Sequence, residues 1–490
     1  MKKARSLFLL LPLLAASCAG EGIPPHPDAL RFRERPYTVP DRAALRTELA
    51  GGIPAYLVED PTLPLVDLQI LVRRTAEEPP GKEGLAALTA ELMRTGGTAT
   101  RTPEALDEEL EFLAAEIGLS IADTHATASL SVLAKDLDRG LEILGEILRA
   151  PALRAEKLEV LKAQMIEGMR GRNDSTAAIE AREANLIFYG PDFPLNRLPT
   201  KASVESLTRE EAASFHARSF HPANFIVAAA GAFRREEMIR RLEALFRDWP
   251  HPPCRPLEWP RITHEIRPGV YCFHKEGRNI TQGRVTAGHA GIDFRHPDVH
   301  AIRVANYILG GGGFSSRMVQ RVRAEEGLAY DVHSSYSPGL AYPNPFRIEF
   351  QSGSATCAYA ARLCLEEIAR LRREEVSPKE LEEAKRFFIE GFPGFFFATP
   401  FQTASTYAAA ELFGIPPEYY LTYRERIARL TPADILRAAR EHLHPERLAW
   451  VVVGDIPAIK KGDPARPAAL EDLGPVSDIP LPDPLTLRRP

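Results

Sequence analysis

The feature that most constrains the fold is a repeat inside the chain. Leu207-Thr208 opens a helix-like segment that runs to His221-Pro222 and then to the apolar stretch Phe225 to Ala230, closed by Gly231. Leu430-Thr431 opens a second such segment, which runs to His444-Pro445 and then to Leu448 to Val453, closed by Gly454. Positions 207 and 430, 221 and 444, and 231 and 454 are each separated by 223 residues, with five identities at that one offset. Self-similarity at a fixed period marks duplicated architecture. It predicts two homologous domains of a little over 200 residues, in keeping with a chain of 490 residues that exceeds one ordinary core. The seam falls at Pro250 to Pro260, where five prolines interrupt all periodicity.

Within the first half, Ile53 to Val58 and Leu63 to Val72 read as strands. Gly84 to Met93 reads as a helix, with Leu85, Leu88 and Leu92 at helical spacing. Thr102-Pro103 starts another helix, Leu119 to Leu133 alternates as one strand should, and amphipathic helices cover about 136–148 and 154–169. Runs of strands followed by runs of helices predict an α+β fold, each domain a mainly antiparallel sheet packed with helices. The reading in order is a signal peptide over 1–17, a tether over 18–36, domains over 37–250 and 262–458 joined by a linker over 251–261, and an irregular Pro-rich tail over 459–490.

The N-terminus carries Lys2, Lys3 and Arg5, then the short apolar run Leu7 to Leu14 and the small residues Ala15-Ala16-Ser17 before Cys18. This is a secretory signal, too short to span a bilayer. Its end resembles a bacterial lipobox, with Ala15 where lipoboxes most often have leucine. By that resemblance the mature chain begins at an acylated Cys18. Ala19 and Gly20 supply no acidic retention signal, so the expected address is the periplasm, anchored to the outer membrane. Cys254, Cys272, Cys357 and Cys364 show no CxxC spacing and read as buried thiols. A formal charge of -5 from 61 basic and 66 acidic residues excludes a nucleic-acid footprint.

Two stretches carry the functional signal. One is Gly81-Lys-Glu-Gly-Leu-Ala-Ala-Leu-Thr-Ala-Glu-Leu-Met-Arg-Thr-Gly-Gly-Thr98. The other runs from Asn306 through the glycines Gly310 to Gly313 and a basic segment with Arg317, Arg321 and Arg323 to Tyr330. Four glycines remove side-chain bulk and permit close approach or positive φ. No Gly-Lys-Ser/Thr follows them, so they are not a phosphate cradle. With the duplication, these stretches resemble the pitrilysin/insulinase family of metallopeptidases, which includes the mitochondrial processing peptidase and the core proteins of the bc1 complex.

The resemblance implies an H-x-x-E-H zinc motif on the first helix, in which two imidazoles four residues apart bind the metal and the glutamate activates water. In this chain the aligned positions are Ala87, Ala90 and Glu91, and the third ligand of active members falls around Glu167. A methyl group neither ligates zinc nor accepts a proton, so the expectation is no metal and no cofactor in this chain and no peptidase activity on its own. The resemblance also implies an Arg/Tyr pair seven residues apart that reaches the zinc site, matched here by Arg323 and Tyr330. A guanidinium and a phenol are donors suited to a peptide carbonyl or its oxyanion.

Some bacterial members of the family divide these parts between two chains. The implied partner is therefore a zinc-bearing homologue, with peptides as substrates. The alternative is a structural or binding homologue like the bc1 core proteins. His296 and His300, four apart around Pro297, and the isolated His125, His274, His289 and His333 are read as packing or surface residues rather than ligands.

Overall fold

Twelve strands arrange as two six-stranded sheets in the computed structural model, which describes residue 26 and residues 37–73, 77–250, 257–277 and 280–490. Two units are distinguished, Met1–Val39 and Pro40–Pro490. In the first, residues 37–39 have no regular secondary structure.

The first sheet comprises β1 (Arg46–Leu49), β2 (Ile53–Glu59), β3 (Leu65–Val72), β4 (Glu116–Ile121), β5 (Ala126–Leu133) and β6 (Phe225–Gly231), in the order β1-β2-β6-β3-β5-β4. The second comprises β7 (Gly269–His274), β8 (Gln282–His289), β9 (Ala329–Ser335), β10 (Phe346–Gly353), β11 (Ala449–Gly454) and β12 (Val476–Asp478), in the order β12-β7-β11-β8-β10-β9. The repeat is visible in this order. β6 and β11 each insert centrally, parallel to β2 or β7 and antiparallel to β3 or β8. Both end in a glycine with positive φ, Gly231 at 137° and Gly454 at 154°. A Cβ on Gly231 would lie 2.1 Å from the Leu65 carbonyl oxygen, so only glycine fits there. The repeated Thr208 and Thr431 each close a capping box at a helix start, with Glu211 and Asp434 respectively.

Why β6 and β11 are continuous apolar runs, rather than alternating ones, follows from what covers them. Val227 and Ala229 of β6 join the core formed with the first half's own helices, through Leu88, Leu92, Leu141 and Leu144. The opposite face of that sheet receives the helix Pro400–Phe413, which comes from the second half. Reciprocally, the helix Thr176–Tyr189 of the first half lies on β8 and β11, where Ile179, Ala184 and Phe188 pack with Phe273, Ala449, Val451 and Val453. Both faces are thus dry, which favours unbroken apolar strands.

A carboxylate fixes each crossing helix. Glu411 accepts from Arg42 Nη2 at 2.9 Å, Arg46 Nη2 at 3.1 Å and the Tyr56 hydroxyl at 2.6 Å. Glu180 accepts from Thr286 Oγ1 at 2.7 Å and from Arg284. Burial pushes the Glu180 carboxyl up despite these two donors.

Two local expectations are corrected. Residues 119–133 form a hairpin of β4 and β5, not one strand. The Ala122 N–H donates to the His125 carbonyl at 2.8 Å across the Asp123-Thr124 turn, a pair suited to turn positions. The tail over 459–490 is not irregular throughout: β12 pairs with β7 in parallel, Val476 opposite Val270. Its prolines lack N–H groups but keep carbonyl acceptors. Arg172 Nη1 donates to Pro484 O at 3.0 Å and Asn173 Nδ2 to Pro482 O at 2.8 Å, which ties the tail to the first half.

Candidate functional site

The helix Leu85–Thr95 starts at Gly84, whose φ of 98° and whose neighbours, Pro199 and Met165 at 3.0 and 3.1 Å from a would-be Cβ, both require glycine. Glu78 caps this start, accepting from the N–H groups of Gly84 at 3.2 Å and Ala86 at 2.7 Å, while burial pushes its carboxyl up. Leu85, Leu88, Leu92 and Met93 face the core. Ala87 and Glu91, four residues apart, lie on the exposed face, and Ala90 is buried at 3% exposure. Glu167 is exposed and paired with Arg170 at 2.9 Å. The three positions that would hold zinc in active members, Ala87, Glu91 and Glu167, thus offer one methyl group and two solvated carboxylates, and Ala90 leaves the base position with a methyl group. They do not fit a catalytic zinc, which takes two imidazoles and a carboxylate.

Beside Ala87 lies a cleft of about 690 Å³ lined by Glu77, Asp123, Asp192, Arg197 and Trp259 among others. Arg197 is held there by the Glu78 carbonyl at 2.9 Å. Neither Arg323 nor Tyr330 lines this cleft, so the structure does not bring the two halves of the expected site together there.

The second stretch is built around close approach. A Cβ on Gly310 would lie 2.6 Å from both the N and the Oγ of Ser334 on β9, and one on Gly312 would lie 2.7 Å from Tyr307 O. Asn306 and Ser334 exchange hydrogen bonds across this contact, at 3.1 and 2.7 Å. The glycines therefore form a packed turn. The basic segment is helical: a 3-10 turn, Gly313–Ser315, precedes it, and residues 317–318 lead into the π-helical stretch Val319–Glu325, ended by Gly327 with φ 63°.

Its three arginines differ in their partners. Arg317 makes a two-pronged pair with Glu380 at 2.6 and 3.1 Å. Burial alone would raise the Glu380 carboxyl, but Arg317 and the Ser377 cap carry it down to about 2. Arg321 pairs with Glu325 at 3.0 Å. Arg323 has no carboxylate or hydrogen-bond partner for its side chain among the described residues. Its guanidinium carbon lies 4.7 Å from the centroid of the Tyr330 ring and 4.6 Å from that of Phe314. Tyr330, on the edge strand β9, is 84% exposed and Phe314 69%. The expected pair is therefore in contact, with Arg323 half-buried between two exposed rings. Phe314 is the member that spacing did not indicate.

The histidines do other work. His296, Asp298 and His442 bring donor atoms within 4.8 Å of one another. Those atoms are already engaged: Asp298 accepts from Arg437 at 2.9 and 2.5 Å and pairs with His442 Nε2 at 2.8 Å, and His296 Nδ1 accepts from the Asp298 N–H at 3.2 Å. Arg437 first, then His442, holds the Asp298 carboxyl well below the usual range. The group fastens the helix Val299–Asn306 to the helix Pro432–His442. His300 sits edge-on to Tyr423 and His289 beside Phe346, and burial pushes both down to about 4. His125 lies edge-on to Phe413, His274 accepts from the Ile456 N–H, and His333 bridges towards Asp331 and Glu349. Cys272, Cys357 and Cys364 are buried free thiols, and burial pushes each up to about 12. Cys18 and Cys254 lie outside the described residues.

A duplicated α+β pair whose zinc-motif positions carry no imidazole defines the class: a metallopeptidase fold without the metallopeptidase ligand set. Similar proteins bear out the likeness to that fold. Residues 206–388 match the family model described as the Peptidase M16 inactive domain. The chain is 25% identical over 346 residues to an uncharacterized zinc protease of Streptomyces coelicolor, covering 69% of this chain and 74% of that one. It is 21% identical over 381 residues to a Helicobacter pylori protein named non-peptidase homolog YmxG, covering 76% and 84%. Among solved structures, a peptidase M16 inactive domain from Pseudomonas fluorescens shares the fold, with a TM-score of 0.73, 23% identity, and coverage of 83% of this chain and 97% of that one. The resemblance read from Gly81 to Thr98 and from Asn306 to Tyr330 holds, and the chain resembles the inactive branch of that family.

Proposed function

We propose that this chain is the non-catalytic subunit of an exported, pitrilysin-like zinc peptidase complex. It pairs with a zinc-bearing homologue and helps to bind and orient peptides that the partner cleaves. The observation that carries the reading is the contrast between its two halves: Ala87, Ala90 and Glu91 abandon the metal chemistry, while a half-buried Arg323 stays assembled with an exposed Tyr330 and has no ion-pair partner among the described residues. A half-buried guanidinium with no hydrogen-bond partner among the described residues, beside a phenol, can meet a substrate carbonyl or its developing oxyanion. Zinc enters this account only in the partner. The rival reading, a structural homologue without a proteolytic role, leaves Arg323 and Tyr330 idle.

The test is co-purification from the native membrane, followed by reconstitution with the homologue that co-purifies. Peptide hydrolysis should require both chains, and Arg323→Ala in this one should lower kcat/KM. Unchanged hydrolysis with the variant would favour the structural reading. Export and anchoring through Cys18 belong to the same proposal. Cys18→Ser should abolish incorporation of labelled palmitate, and label retained in that variant would refute the anchor.

A further inference from the structure

Phe314 is placed with care for a residue so exposed. It follows Gly313, whose φ is 60°, and the turn around it is fixed by the hydroxyls of Ser315 and Ser316, which donate to the carbonyls of Gly312 at 3.1 Å and Gly313 at 2.7 Å. The Phe314 carbonyl accepts from the Gln320 side chain. The ring thereby comes to 4.6 Å from the Arg323 guanidinium carbon, as close as Tyr330 approaches from its own strand.

The choice of partners matters chemically. Arg317 turns Nε and Nη2, and Arg321 turns Nη1, to carboxylates. A guanidinium donates within its plane and is attracted to aromatic rings through its faces. Two aromatic neighbours at 4.6 and 4.7 Å can steady Arg323 through its faces without consuming a donor, whereas a carboxylate would occupy the edge that a ligand needs. Phe314 also brings no hydroxyl to compete for those donors.

We infer that Phe314 is a positioning residue: with Tyr330 it holds the Arg323 guanidinium by its faces and presents the N–H edge to a planar oxygen acceptor of a peptide. The identity of the acceptor rests on the proposed function. The positioning itself stands on the geometry.

The first readout needs no activity. In the full chain labelled with 15N-arginine, the Arg323 Nε–Hε signal, assigned by its loss in Arg323→Ala, reports the order of the guanidinium. Phe314→Leu, which keeps an apolar side chain but removes the ring, should lower that order, and Phe314→Trp should restore it. Unchanged order in Phe314→Leu would overturn the inference.

The second readout uses the reconstituted complex. An exposed cation–π contact corresponds to roughly 2- to 5-fold in kcat/KM, so Phe314→Leu should cost about that much. Phe314→Trp should recover it, and Phe314→Leu should cost nothing further in an Arg323→Ala background. An equal loss in that background would show that Phe314 acts without Arg323 and would also overturn the inference. If Arg323 loses order in Phe314→Leu while Arg323→Ala leaves hydrolysis intact, the positioning holds and the proposed function fails.

Discussion

Glu411→Ala should loosen the join between the halves more than any change at an ordinary surface glutamate. Glu411 lies on the helix that the second half lends to the first sheet, and it accepts from Arg42, Arg46 and Tyr56. Tyr56 is fully buried, so its hydroxyl would lose its acceptor in a dry site, a cost of about 1–3 kcal/mol. Arg42 and Arg46 reach water and keep other contacts, including Ile415 O for Arg42 at 3.0 Å, so each adds only about 0–1 kcal/mol. The total is about 1–5 kcal/mol. Read by hydrogen exchange, that becomes roughly 5- to 4,000-fold faster exchange over Pro400–Phe413 and β2 at neutral pH.

The pH dependence has a definite sign. Burial would raise the Glu411 carboxyl, but Arg46, Tyr56 and Arg42 hold it below its ordinary value of 4.5. A depressed carboxylate stabilises the fold above the unfolded pKa and loses that contribution as pH falls through the folded value. The gap between wild type and Glu411→Ala should therefore be full above the ordinary carboxyl value and close as pH falls through the depressed folded one. Glu390→Ala, which removes a glutamate 71% exposed on its side chain, is the control. Exchange over Pro400–Phe413 no faster in Glu411→Ala than in Glu390→Ala would refute the interlock.

Three further outcomes follow from particular contacts. Gly310→Ala drives a methyl into the backbone N of Ser334 and should cost about 1–3 kcal/mol in a urea melt, whereas Gly313→Ala meets no neighbour and pays only for its φ of 60°. Asp298→Asn should flatten the acid limb of the stability–pH curve, because the depressed Asp298 carboxyl stabilises above its unfolded pKa and loses that contribution as pH falls; an unchanged limb would separate Asp298 from acid unfolding. The isolated chain should bind no stoichiometric zinc, whereas Ala87→His with Glu91→His, which sets two imidazoles on one exposed helix face, should gain measurable zinc uptake by atomic absorption.

Much of the fold was legible because it rests on short-range chemistry. The threonine caps at Thr208 and Thr431, the closing glycines Gly231 and Gly454 and the leucine spacing of Leu85–Thr95 are local devices, and each stands where the sequence placed it. The exchange of helices was not legible, because no local signal says which sheet a helix such as Thr176–Tyr189 will cover. The β4–β5 hairpin was read as one strand because the alternation on both sides of Asp123-Thr124 stays nearly in phase. At the candidate site, Arg323 and Tyr330 were found by a family spacing. Phe314 was missed because it meets Arg323 through a turn whose geometry depends on Gly313 and on contacts with β9.

The most direct measurement of the central claim is peptide hydrolysis by this chain, by its zinc-bearing partner and by the two together, with wild type and Arg323→Ala compared in the mixture. The account predicts hydrolysis that depends on both chains and on the partner's metal, and that falls with Arg323→Ala. Full activity from the partner alone, unaffected by adding either form of this chain, would contradict it.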